Sequence, residues 1–99
     1  MKHDLIITIV NKGYADLVMD AARSKGARGG TIINARGTAS SVETFFNISI
    51  EPEKEMVFIV VNNENRREIM EEITLKAGLK TVGQGVTFSL PVSDAIGLA

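Results

Sequence analysis

Apolar residues along the chain fall first in unbroken runs and then at helical spacing. "LIITIV", residues 5–10, is apolar apart from Thr8 and rich in β-branched residues, the pattern of a central strand covered on both faces. "NKG" breaks the run. From Tyr14 the period changes. Tyr14, Leu17, Val18, Ala21 and Ala22 follow i, i+3, i+4, i+7, i+8 spacing, one stripe of a helix. "SKGARGG", 24–30, closes that helix with glycines free to take positive φ, and "TIINA", 31–35, is a second strand. "VFIVV", 57–61, is another continuous run and a second central strand. "NNEN", 62–65, supplies N-cap residues and an early acidic group for a second helix. Ile69, Met70, Ile73 and Ala77 line one face of it, and Gly78 is placed to end it. "VTFSL", 86–90, alternates as a strand with one wet face, stopped by Pro91. The closing "VSDAIGLA" is an apolar tail expected to pack against the body. Two stretches stay open. "VETFFNISI", 42–50, satisfies both a helical turn and a strand, and "EPEKE", 51–55, reads as a charged turn.

The predicted order is β-α-β-β-α-β with something extra between the middle strands. This is the split βαβ, ferredoxin-like plan, an α+β sandwich with an antiparallel sheet and two helices on one face. The other sheet face is left bare, although continuous apolar strands call for cover on both sides. No further helix is available, so the expected cover is other copies of the chain. The alternative is a monomer with a modestly polar open face, which Thr8 and Asn34 allow.

Composition narrows the classes of function. Ninety-nine residues make one domain, 1–99. Eleven Lys and Arg against twelve Asp and Glu give a net charge of -1, with no drive toward nucleic acid or an anionic membrane. There is no Cys, hence no disulfide, thiolate nucleophile or cysteine metal site. The longest apolar run is far below the ~20 residues of a membrane span. "MKHDLIITIV" makes a poor signal peptide and a good first strand, so the expected location is cytoplasmic, without membrane insertion. His3, the single histidine, is expected to be a solvated terminal side chain, and no metal site is expected. No Ser has an evident base, and the carboxylates are scattered or on solvent faces, so no catalytic residue is assigned.

Two glycine loops remain as candidates: "RGTASS", 36–41, after the second strand, and "GQG", 83–85, before the last. Glycines admit backbone N–H groups close to an anion. Arg36 and Lys80 would add charge, and the hydroxyls of Thr38, Ser40 and Ser41 could donate to phosphate oxygens. The plain alternative is two tight turns.

The order of pieces, with "GGTIINARG" at 29–37 and "GLKTVGQGVTFSLPV" at 78–92, resembles the PII signal-transduction (nitrogen regulatory protein P-II) family, as a PII-like member with a shortened T-loop. The likeness spans nearly the whole chain. It implies a T-loop region at about 36–55, a B-loop at about 80–86 and a C-terminal tail at 91–99. It further implies a homotrimer with sheets inward, and an ATP, ADP or AMP-type effector held between the T-loop base of one subunit and the B-loop of the next. Thr31 falls where the family has a threonine near the adenine, Gly37 at the T-loop base, and Gly83, Gln84 and Gly85 on the B-loop triplet. Ile7 and Val60 fall where backbone groups line the base. The output implied is a regulated protein, whether transporter, enzyme or regulator, docked through Val42, Phe45 and Phe46. The opposing reading makes the two rings caps of the core.

The departures from the family pattern shape this expectation. Val86 replaces the B-loop lysine and Phe58 the glutamate of the third strand, and the sequence ends at Ala99 without the C-terminal arginines. The T-loop glutamine has no counterpart near Ala39–Ser41, and the only tyrosine, Tyr14, lies outside the T-loop. The resemblance thus implies weak ATP binding, with Arg36, Lys80 and Arg28 as the cations at hand, and neither 2-oxoglutarate sensing nor uridylylation. The competing classes are a metal-tolerance-type protein or small enzyme of similar build, and a ligand-free assembly module.

Overall fold

The computed structural model describes residues 2–38, 43–45, 48–50, 52–80 and 85–98. β1 (His3–Asn11), α1 (Ala15–Ser24), β2 (Thr31–Arg36), β5 (Glu53–Asn62), α2 (Arg66–Lys76) and β6 (Val86–Pro91) build the ferredoxin-like body. Between β2 and β5 stand two short strands, β3 (Glu43–Phe45) and β4 (Ile48–Ile50), paired as an antiparallel two-stranded sheet. Within the open stretch 42–50, residues 43–45 and 48–50 are therefore strand, while 42, 46 and 47 lie outside the described residues. The main sheet is antiparallel throughout, in the order β2-β5-β1-β6, so the two continuous apolar strands are central, as expected. β5 begins at Glu53, so Glu53–Glu55 are not a turn. Pairing of Arg36 with Glu53 and Asn34 with Glu55 extends the strand into the charged stretch.

Both helices pack on one face. There Ile6, Val10, Val57 and Ile59 meet Val18, Ala22, Ile69 and Ile73, all fully buried. The face of α1 is turned from the expected stripe. Tyr14 stands before the helix, Met19 is buried, and Leu17 is 42% exposed. The buried set Ala15, Val18, Met19, Ala21 and Ala22 still keeps the helical spacing. In α2 the expected Ile69, Ile73 and Ala77 are buried, with Met70 at the margin. Asn65 stands at the N-cap of α2 but forms no side-chain cap bond.

The sidedness of the strands departs most from expectation. Thr8 is fully buried under the helices, and its hydroxyl shares a hydrogen bond of 2.9 Å with that of Thr87. The polar side of β6 therefore faces the helices, while Val86, Phe88 and Leu90 are 51%, 40% and 47% exposed on the bare face. β6 has no wet outer face, and Thr8 does not soften the open face. Nor does Asn34, which alternates with the open-face residues Ile33 and Ala35. The bare face consists of apolar rows: Val60–Leu5–Leu90, Phe58–Ile7–Phe88 and Met56–Ile9–Val86. Thr87→Val is expected to cost about 1–3 kcal/mol by leaving the buried Thr8 hydroxyl unpaired, whereas Thr8→Val combined with Thr87→Val should return close to wild type. Urea melts of the two variants beside wild type measure this.

The tail packs less than expected. Val92 N–H donates to the His3 carbonyl at 3.1 Å, but Ile96 is fully exposed, and Leu98, which lines a cavity with residues of the body, is 45% exposed.

Candidate functional site

A cavity of about 480 Å³ opens where β2 begins. The β2–β5 ladder ends at Thr31 opposite Phe58, while β5 continues to Asn62. Gly30 permits the departure of the chain. A Cβ there would stand 2.7 Å from the Phe58 carbonyl oxygen and 3.0 Å from side-chain atoms of Ile59 and Met19. That contact also shows that the Phe58 carbonyl faces β2. By strand alternation the N–H and C=O of Val60 point the same way, past the end of the ladder and toward the cavity. Thr31 and Val60 thus share this cavity.

The remaining predicted residues lie elsewhere. Ile7 sits in mid-sheet beside Phe58, on the open face. Arg36 ends β2, about 17 Å along the strand from Thr31. Gly37 N–H donates to the Pro52 carbonyl at 2.8 Å and closes the base of the intervening segment, with Thr38 exposed just beyond. This base is stapled to the β1–α1 turn. Lys54 Nζ donates to Asn11 Oδ1 at 2.6 Å, and Glu55 Oε1 accepts from the N–H groups of Gly13 and Ala15 at 2.7 and 3.2 Å. Glu55 therefore caps the start of α1, a role no local signal marks. Lys80 is exposed after α2. Gly85 N–H donates to the Leu79 carbonyl at 3.0 Å, and a Cβ on Gly85 would strike the Ile9 carbonyl. Its bareness is thus required by the sheet itself. Gly83, Gln84, Val42 and Phe46 lie outside the described residues, as does the side chain of Phe45.

One chain does not bring these parts together. Arg36 is on one edge strand and Gly85 leads into the other, about 14 Å apart across three strand spacings. Sequence reasoning missed His3, Asn62, Asn65 and Leu98 as cavity residues. His3 is not a solvated terminal group. The strand begins at it, it is half-buried, and its Nδ1 is buried without a hydrogen-bond partner among the described residues. Asn62 and Asn65 carried only a capping signal. Among the described residues no three His, Asp or Glu side chains gather to hold a metal ion, and no helix is long and apolar enough to cross a membrane.

The family model for nitrogen regulatory protein P-II matches residues 3–98. The chain belongs to that family. P-II proteins are regulatory signalling proteins. The solved structures it resembles include PII from Arabidopsis thaliana bound to citrate, at 28% identity and a TM-score of 0.71, covering 98% of this chain and 81% of that one. No curated protein matches.

Proposed function

We propose that this P-II member assembles as a homotrimer, open sheet faces inward, and binds an adenine nucleotide in the clefts between subunits. The base lies toward Thr31, Val60 and Ile7. The phosphates meet Arg36, Gly37 and Thr38 of one subunit and Lys80, Gly83, Gln84 and Gly85 of its neighbour. Occupancy alters the segment 36–55, which docks on a regulated protein through Val42, Phe45 and Phe46. The protein works in the cytoplasm without catalysing a reaction. The observation that carries this reading is the uncovered apolar face, three strands wide, on a chain whose candidate residues lie on opposite sheet edges. A second copy supplies both the cover and the missing half of the site. The citrate-bound Arabidopsis relative supports small-effector binding at the level of the fold.

Light scattering at micromolar concentration is expected to give the trimer mass. In a thermal-shift panel of ATP, ADP, AMP, 2-oxoglutarate and divalent metals, an adenine nucleotide at 100 times its Kd should add ~2.7 kcal/mol. A clean monomer removes the assembly. A trimer stabilised by no adenine nucleotide removes the effector.

A further inference from the structure

The cavity at the start of β2 reaches from one side of the sheet to the other. Strand register puts Thr31, Phe58, Val60 and Asn62 of its wall on the open face. Another part of the wall belongs to the helix layer: the loop 26–30 after α1, and Asn65 and Ile69 at the start of α2. The opening between them exists because β2 begins only at Thr31. The nucleotide reading uses the open-face end, and nothing so far uses the helix-side end.

That end is one-sided in charge. Arg28 lines it, a side chain that only donates. Among the described residues that line the cavity, none is Asp or Glu. Glu68, in the first turn of α2, is drawn to Lys25 Nζ at 3.7 Å instead. The loop beside Arg28 is open to approach, since a Cβ on Gly29 would meet nothing within 4 Å. Its glycines let backbone N–H groups come close to an anion. Asn65 makes no side-chain bond to its own helix, and its amide lies 3.5 Å from where a Cβ on Gly26 would stand. The first N–H groups of α2 thus have no side-chain cap, and the helix dipole adds positive potential at the same end. The cavity also holds a polar atom without a partner among the described residues, the buried Nδ1 of His3. We propose that the helix-side end of this cavity is an anion subsite for one phosphate or carboxylate group, held by Arg28, Asn65 and the Gly29–Gly30 backbone. It is separate from the phosphate contacts at Arg36 and Lys80, and it does not depend on the nucleotide reading.

Amide NMR of the full chain tests the subsite, with inorganic phosphate as the probe and chloride at equal ionic strength as the control. Phosphate should shift the Gly29 and Gly30 amides and saturate, and chloride should not. Arg28→Gln should weaken phosphate by about tenfold, the loss of one charge-assisted contact. Arg23→Gln removes an exposed cation of α1 that does not line the cavity, and should bind phosphate like wild type. Shifts that do not saturate, equal shifts with chloride, wild-type affinity in Arg28→Gln or equal weakening in both variants would each overturn the proposal. Competition then identifies the source of the anion. AMP binding beside phosphate marks a separate anion, and displacement of phosphate by adenosine 3′,5′-bisphosphate but not by AMP marks a group carried on the nucleotide. Either result supports the subsite. Displacement by AMP itself would make Arg28 a contact of the 5′-phosphate and overturn the separation from Arg36 and Lys80. Saturable phosphate binding with no nucleotide bound at all removes the nucleotide reading and supports this one.

Discussion

Gly85→Ala is expected to lower the unfolding free energy by about 3 kcal/mol, at the upper end of the usual cost of overpacking. The new methyl group meets the backbone carbonyl of Ile9 and stands 3.0 Å from Val10 Cγ1. A side-chain neighbour could rotate away. A carbonyl in the central strand β1 cannot move without disturbing its pairing with β5 and β6. Gly29→Ala is the matched control. A Cβ there meets nothing within 4 Å, so its stability should stay within about 0.5 kcal/mol of wild type. Urea denaturation followed by circular dichroism compares the two. Equal midpoints for the two variants would mean that the crossing of Gly85 over β1 is looser than described. The comparison also bears on ligand studies. A binding defect in a Gly85 variant reports on the fold before it reports on the loop.

Phe88→Asp should convert the trimer to folded monomers at micromolar concentration. Phe88 pairs with Ile7 in the middle row of the open face and is 40% exposed in the single chain. In the proposed assembly that face is buried, and an unpaired carboxylate there costs several kcal/mol per subunit. The monomer should survive, because the helix-side core of Ile6, Ile59, Ile69 and Ile73 is untouched on the opposite face. Light scattering should therefore report one third of the wild-type mass, with helical circular dichroism retained. Persistence of the trimer would show that this face is not the interface. Loss of helical signal would show that the two faces do not fold independently of each other.

The sequence by itself determined the six elements of the main body and their order, but not β3 and β4. Continuous β-branched runs at 5–10 and 57–61 and helical spacing at 69–77 are local signals, and local periodicity survives in any tertiary context. The order of those elements then restricts the topology to the split βαβ plan, so the placing of the two apolar strands at the sheet centre was legible as well. Gly78 was legible for the same reason, ending α2 at a φ of +61°. Sidedness was not. A period of two says that a strand has two faces and is silent on which one the helices cover. Thr8 looked like a polar position on an open face and is buried. Thr87 and Ser89 looked like a wet face and lie under the helices. The candidate site divided along the same line. Thr31 and Val60 could be named from resemblance, but the cavity that joins them exists because one ladder stops at Thr31 while its partner strand runs on to Asn62. Pairing register between residues some thirty positions apart sets that difference, and it brings in His3, Phe58 and Leu98 from distant parts of the chain. Only the tertiary structure could decide it, because no residue near any one of them in sequence carries the information.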